Sequence, residues 1–325
     1  MSRNNKTSMR KRIICTILSA MCILGIAACG KKDSKEQDAY RQFGINCLES
    51  GKYQEAVDAF DKALGESLGH VDEKELDICF YKARAQYLNG DTDAALDTYN
   101  AIIEYNEDAR AYYLRGNLYF NTGDQEKAVA DYKTAIKNDK SNYELYIGIY
   151  ETFKSRNMAE DGQQYLNQAM ELKGDKPKDC LYKGRICYLL GDYDEAVTYL
   201  EKALEGEQDL APYYLGQAYE ALGDEEKAQG YIAQYLDSGV ATSYDLYELG
   251  TTEMSEGDYE QALTYYLAGL SMESVPNKQN LMKSAIVAYE YSGDFDGAGK
   301  LMEEYISLYP SDEAAQKEST FLETR

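Results

Sequence analysis

The sequence predicts an all-α solenoid, and three observations carry that expectation. A short mark recurs seven times, at Gly51 (GKYQEA), Gly90 (GDTDAA), Gly123 (GDQEKA), Gly191 (GDYDEA), Gly223 (GDEEKA), Gly257 (GDYEQA) and Gly293 (GDFDGA), with an eroded copy at Asn157 (NMAEDG). Successive marks lie 39, 33, 34, 34, 32, 34 and 36 residues apart. Such a period belongs to arrays in which each unit buries its apolar face only by stacking on its neighbours. On both sides of each mark apolar residues recur at helical spacing, as at Ala196, Leu200 and Ala203, and no stretch alternates as a strand does.

The mark itself reads as helix, turn, helix. Glycine suits the left-handed residue that closes one helix, and aspartate is a good N-cap for the next. Asp192 with Glu195, and Asp258 with Gln261, have the spacing of a capping box.

Taken in order, each unit shows a small residue in its first helix, a small residue opening its second, and a large one a turn later. Unit one, from Gln37, has Gly44, Ala56 and Phe60. Unit two has Ala83, Ala95 and Tyr99, and unit three has Gly116, Ala128 and Tyr132. Unit four departs, with Tyr150, Asn157 and Gly162 where glycine, glycine and alanine are expected; Tyr146, Phe153, Leu166 and Ala169 keep its register. Unit five has Gly184, Ala196 and Leu200, and unit six has Gly216, Ala228 and Ile232. Unit seven has Gly250, Ala262 and Tyr266. Unit eight has Ala298 and Met302 and closes on Pro310. A polar helix over 313–325 is expected to cover the last apolar face. Four prolines in the whole chain and no Ser/Gly-rich linker argue for one array over 37–312.

These positions resemble the tetratricopeptide repeat (TPR) family over roughly 37–312. The resemblance implies a TPR-type right-handed superhelix whose first helices line a concave groove, and a partner protein or peptide bound in that groove.

The N-terminus carries a second message. Arg10-Lys11-Arg12 precedes the apolar run Ile13–Ala28, which ends in small residues. That is the order of a secretory signal, and the run is short for a membrane span, which needs about 20 residues. Ile26-Ala27-Ala28-Cys29 is similar to a bacterial lipobox, which implies cleavage before Cys29, a lipid on its thiol and an acylated N-terminus. The alternative is an uncleaved anchor or an ordinary signal. The organisation expected is a signal peptide at 1–28, a lipidated tether at 29–36 and the array beyond. The protein would sit at the cell membrane, lipid-anchored and facing the extracytoplasmic side.

Charge excludes some classes of partner. Residues 1–28 hold five basic residues and no acid, so their removal takes the net charge from −23 to −28. Nucleic acid, whose binding rests on neutralised phosphates, is excluded on that ground. Catalytic readings find no support. His70 is the one histidine, no Gly-rich phosphate loop follows a strand, and no Cys/His spacing fits a metal. Cys47, Cys79, Cys180 and Cys187 fall on buried first-helix positions. Cys180 and Cys187 are seven residues apart on one helix, about 10 Å, too far to bridge. The chain reads as a non-enzyme without cofactor beyond the lipid on Cys29.

The candidate groove is read from first-helix positions outside the core. They are Phe80 and Arg84 in unit two, Arg110, Tyr113, Asn117 and Phe120 in unit three, and Arg185 and Tyr188 in unit five. Ile147, Leu181 and Tyr213 belong to the same set. Over units one to five this face sets Arg41, Arg84, Arg110, Lys154, Lys178 and Arg185 against five acids, near neutral on an acidic chain. An aromatic groove with arginines suits a carboxylate-bearing peptide; the other reading is that these side chains brace adjacent units. The alternative function is solute or glycan binding for a transporter or wall enzyme, with Tyr113, Asn117, Phe120 and Asn121 as a sugar platform.

Overall fold

The computed structural model describes residues 34–67, 69 and 71–322. Cys29, His70 and the apolar run Ile13–Ala28 lie outside them. Among the described residues there are seventeen helices and no strand. The first ten are α1 (Ser34–Glu49), α2 (Tyr53–Gly65), α3 (Glu73–Leu88), α4 (Thr92–Asn106), α5 (Ala109–Asn121), α6 (Gln125–Asn138), α7 (Tyr143–Lys154), α8 (Ala159–Met170), α9 (Pro177–Leu190) and α10 (Tyr193–Glu205). The rest are α11 (Ala211–Ala221), α12 (Glu225–Asp237), α13 (Ser243–Glu256), α14 (Tyr259–Leu270), α15 (Lys278–Ser292), α16 (Phe295–Leu308) and α17 (Glu313–Leu322). No helix among them is long and apolar enough to cross a membrane.

The recurring mark does the work its residues dictate. In every copy the residue after the glycine donates its N–H five residues back, as from Asp124 to Tyr119 O at 2.8 Å and from Asp294 to Tyr289 O at 2.9 Å. That bond closes one helix through a left-handed residue, such as Gly123 at φ 90 and Gly293 at φ 84. Asn157, in the eroded copy, takes the same conformation at φ 58, a role asparagine fills better than most residues. The aspartate then caps the next helix, with Asp91, Asp124, Asp224, Asp258 and Asp294 each accepting a backbone N–H. Asp192 is a correction: it makes no side-chain cap bond, so the box expected with Glu195 does not form. Full boxes occur at Asp72 with Glu75 and at Thr242 with Asp245, where a loop enters a first helix.

Helix pairs cross where glycine meets a large side chain. A Cβ on Gly44 would stand 2.6 Å from the Phe60 ring, on Gly116 2.7 Å from Tyr132, on Gly184 2.5 Å from Leu200 and on Gly250 2.5 Å from Tyr266. Repeat four inverts the sizes. Tyr150 occupies the first-helix position and Gly162 the second, and a Cβ on Gly162 would lie 2.8 Å from Phe153 Cβ and 3.2 Å from the Tyr150 ring.

The helices form two compact units, one up to Gly206 and one from Glu207. The first unit holds five repeats and the second three, with α17 in the second. The shortest repeat offset, 32 residues from Gly191 to Gly223, spans this division, and Glu207 beside it has φ 57. In the second unit Ala315 and Leu322 of α17 pack with Met302 and Tyr305 of α16.

Candidate partner-binding face

First helices of successive repeats touch one another, α1 with α3, α5 with α7 and α7 with α9 in the first unit, and α13 with α15 in the second. Within each unit, the first helices that touch in this way share a face. Side chains on that face reach across one period. Arg41 pairs with Asp77 at 2.6 Å, Lys74 with Asp38 at 2.6 Å and Arg185 with Glu151 at 2.7 Å. Tyr182 donates to Glu144 at 2.5 Å and Arg156 to Asn121 at 3.0 Å. Asn117 Oδ1 accepts from the Tyr132 hydroxyl at 2.7 Å and from Thr152 at 3.2 Å, joining repeats three and four. Arg41, Asn117 and Arg185 are thus braces between neighbouring repeats, and the sugar platform that needed Asn117 and Asn121 is taken up internally.

The expected aromatic groove needs a further correction. Phe80 and Phe120 are buried, at 7% and 8% exposure, as are Ile147, Leu181 and Tyr213. The Arg110 guanidinium lies 3.6 Å over the Phe80 ring, and Phe120 meets Phe153 of the next repeat edge-on at 4.8 Å. These positions look open on an isolated helix and are closed by the repeat that follows.

Open positions remain. Arg84 and Arg110 are exposed and Tyr113 is half-buried. The Tyr113 ring tilts against Tyr132 at 6.1 Å, and its hydroxyl occupies the space that a Cβ on Gly148 would need. Tyr188 leans on Tyr193 at 5.7 Å, away from this cluster. Arg110 and Tyr113 line a cleft of about 550 Å³ in the first unit with Asp108, Asn138, Asn142 and Glu144. Asp108 is held by capping α5 through Arg110 N at 2.8 Å. Asn138 donates to Glu107 O at 2.8 Å. The cleft offers a guanidinium, a phenol and carboxamides beside the carboxylates of Asp108, Asp139 and Glu144, which are held by the α5 cap, Asn142 and Tyr182.

The strongest brace was invisible in the sequence. Arg115 grips Asp131 through two bonds of 2.8 and 2.7 Å and Asn100 of the previous repeat at 2.6 Å. The hydrogen bond to Asp131 holds its guanidinium above the usual range against the cost of burial. Only the 16-residue separation across one helix pair could have pointed to it. Cys79 and Cys187 have thiols pushed up to about 12, chiefly by burial, the opposite of an activated cysteine. Among the described residues no group of three or more His, Cys, Asp and Glu is placed to hold a metal ion.

The fold and this face define an all-helical repeat protein with exposed side chains on its first helices. A profile described as "Tetratricopeptide repeat" matches residues 41–104, 80–143 and 247–313, and two more of that description match 177–205 and 211–238. The chain belongs to the tetratricopeptide repeat family, whose members generally mediate protein–protein interaction and are generally non-catalytic. The matches leave out 144–176, which holds the inverted fourth repeat. The chain is 21% identical over 313 residues to the BBSome complex member BBS4 of Bos taurus, covering 94% of this chain and 55% of that protein. It is 23% identical over 308 residues to the TPR repeat-containing protein YpiA of Bacillus subtilis (strain 168), covering 83% and 70%. The chain spans about half the length of several curated relatives, with shares of 55%, 48% and 52%. Yeast Tom70 shares the fold, with TM-score 0.59 at 16% identity over 99% of this chain and 71% of that one.

Proposed function

We propose that this protein is a lipid-anchored, extracytoplasmic scaffold that binds a partner protein or peptide of the cell envelope on the first-helix face of repeats two to four. It does so without catalysis or cofactor. The observation that supports this reading most is the cleft holding Arg110 and Tyr113 on a face whose other charges are mostly paired. A guanidinium over an aromatic ring is pre-organised for a carboxylate, and Tyr113 supplies rigid area. Arg84, exposed one repeat earlier, extends the same charge. Two or more acyl chains on Cys29 would make attachment stable.

The test is a photo-crosslinking residue at Tyr113 in intact cells. It should capture an envelope protein, and Arg84→Ala should weaken that capture. Capture that survives both Arg84→Ala and Arg110→Lys would place the binding surface elsewhere. For the anchor, Cys29→Ala should abolish lipid labelling and release the protein from membranes. Unchanged retention with normal processing would remove the lipid from this reading.

A further inference from the structure

Repeats six and seven are joined unlike the other repeats of the second unit. There, a second helix lies along the helix that follows it, α14 on α15 and α16 on α17. α12 is not seated on α13 in that way. The join rests instead on Tyr235, whose hydroxyl donates to Asp245 at 2.6 Å, and on Leu249, which packs with Ile232. Beside it a cleft of about 740 Å³ opens between α12 and α14, with Leu246 of α13 at its base. Its walls carry Ile232, Leu236 and Ala233 on one side and Tyr265, Ala268 and Met272 on the other. Ala233 and Ala268 stand exposed. Gln229, Gln261 and Thr264 add polar groups to a lining that is otherwise mostly apolar, and a concavity of this size, walled by two helices, is larger than scattered surface hydrophobics account for.

Its rim is acidic, with Glu253 and Asp258. The Glu253 carboxyl is pushed up by burial first and then by Asp258 and Glu256. Glu220 of α11 is pushed up to about 7, by burial first and then by Glu256 and Glu253. Tyr265 feels the same charges, Glu253 and Glu220. Among the described residues no cation pairs with Glu220, Glu253 or Glu256. A cation at this rim would relieve the repulsion among them.

We propose that this cleft docks an amphipathic helix of another protein, apolar on the face that enters and basic along the edge that meets Glu253 and Asp258. The shape argument is that α12 leaves unfilled the flank on which other second helices of this unit seat a neighbour. A helix with anchors at i, i+3, i+4 and i+7 fills a groove between two helices. The charge argument is complementarity, which selects the basic edge over an acidic one. This surface lies in a different unit from Arg110 and Tyr113 and stands independently of them.

The experiment titrates the full chain with a fluorescein-labelled peptide of about 14 residues, leucine at that helical spacing and lysine elsewhere, read by anisotropy. A second peptide keeps the leucines and replaces lysine by glutamate. The lysine peptide should bind saturably, and the glutamate peptide about tenfold more weakly or worse. Ala268→Trp, at an exposed position that folding tolerates, should fill the cleft and weaken binding about tenfold. Glu253→Gln should weaken it about threefold and flatten its salt dependence. Arg110→Ala should leave the titration unchanged. Four results would overturn the proposal: no saturable binding, equal binding of both peptides, binding indifferent to Ala268→Trp, or a dimer in sedimentation that Ala268→Trp dissociates. The third would mean general attraction to an acidic chain, and the fourth would make a second copy the occupant.

Discussion

One substitution made at three glycines of the second unit should give three different results. At Gly250 an added Cβ meets Tyr266 at 2.5, 2.7 and 2.9 Å along one ring edge. That ring cannot retreat. It is 1% exposed, tilts against Tyr247 at 6.0 Å and shares a hydrogen bond with Thr251 at 3.3 Å. Overpacking of this kind costs about 1–3 kcal/mol, offset by about 1 kcal/mol gained when alanine replaces glycine within a helix. Gly250→Ala should therefore destabilise by roughly 1–2 kcal/mol. At Gly216 the obstacle is Ile232, with Cδ1 at 2.6 Å and Cγ1 at 2.7 Å, and Ile232 borders the open cleft beside α12. An aliphatic chain end beside open space yields more readily than a ring held by Tyr247 and Thr251, so Gly216→Ala should destabilise by less than Gly250→Ala, by about 0.5–1 kcal/mol. At Gly299, in α16, nothing lies within 4 Å, so Gly299→Ala should stabilise by about 0.5–1 kcal/mol. Urea titrations followed by circular dichroism at 222 nm would read the order, with the m-value checked for constancy. Equal shifts at all three positions would refute the claim that the rigidity of the contacted side chain decides the order.

Three further outcomes follow from named contacts. Asn117→Ala removes the acceptor shared by Tyr132 and Thr152, leaving the Tyr132 hydroxyl only that of Thr152, and should cost about 1 kcal/mol in urea denaturation; a cost below about 0.3 kcal/mol would show the brace to be idle. Arg115→Met leaves the carboxylate of Asp131, itself 6% exposed, without its partner and should cost about 2–4 kcal/mol in the same assay, with Arg115→Met/Asp131→Leu recovering much of it. Glu220 binds its proton more tightly folded, at about 7, than as a free carboxyl in the unfolded chain, at 4.5. Its contribution is therefore present below the unfolded value and lost as pH rises through 7. Glu220→Gln should stabilise the second unit at pH 8 by about 1 kcal/mol after allowance for solvent screening and change little at pH 4.5; a gain of the same size at both pH values would remove charge as its cause.

Much of the architecture could be read from local rules. The glycine–aspartate marks specify a left-handed closure and a cap within six residues, and the pairing of Gly44 with Phe60 or Gly250 with Tyr266 follows from small facing large at a fixed offset. What failed was legible only across a period. Phe80 and Phe120 occupy positions that a single helix leaves open, and Arg110 and Phe153, about one repeat later, close them. Arg115 and Asp131 carry no pattern that separates them from the many charges around them. The boundary at Gly206 is hidden because the repeat mark continues on both sides, and Asp192 has capping spacing but makes no capping bond. A binding face of a repeat protein is defined by what the next repeat leaves uncovered, which is a property of two repeats together.

The inverted crossing in repeat four bears on how the chain avoids assembling itself wrongly. Similar units in tandem invite mispairing, in which a first helix closes on the second helix of a neighbour. Were α7 to close on α6, Tyr150 would be driven against Ala128 and Tyr132, two large rings where there is space for one. Were α5 to close on α8, Gly116 would face Leu166, the counterpart of Tyr132, and that exchange would meet no such obstacle. The first exchange is penalised by overlap. Exchanges among the other repeats would match small to large without protest. A departure from consensus that weakens the family signature thus acts as a key, cut for one lock, placed inside the five-repeat body.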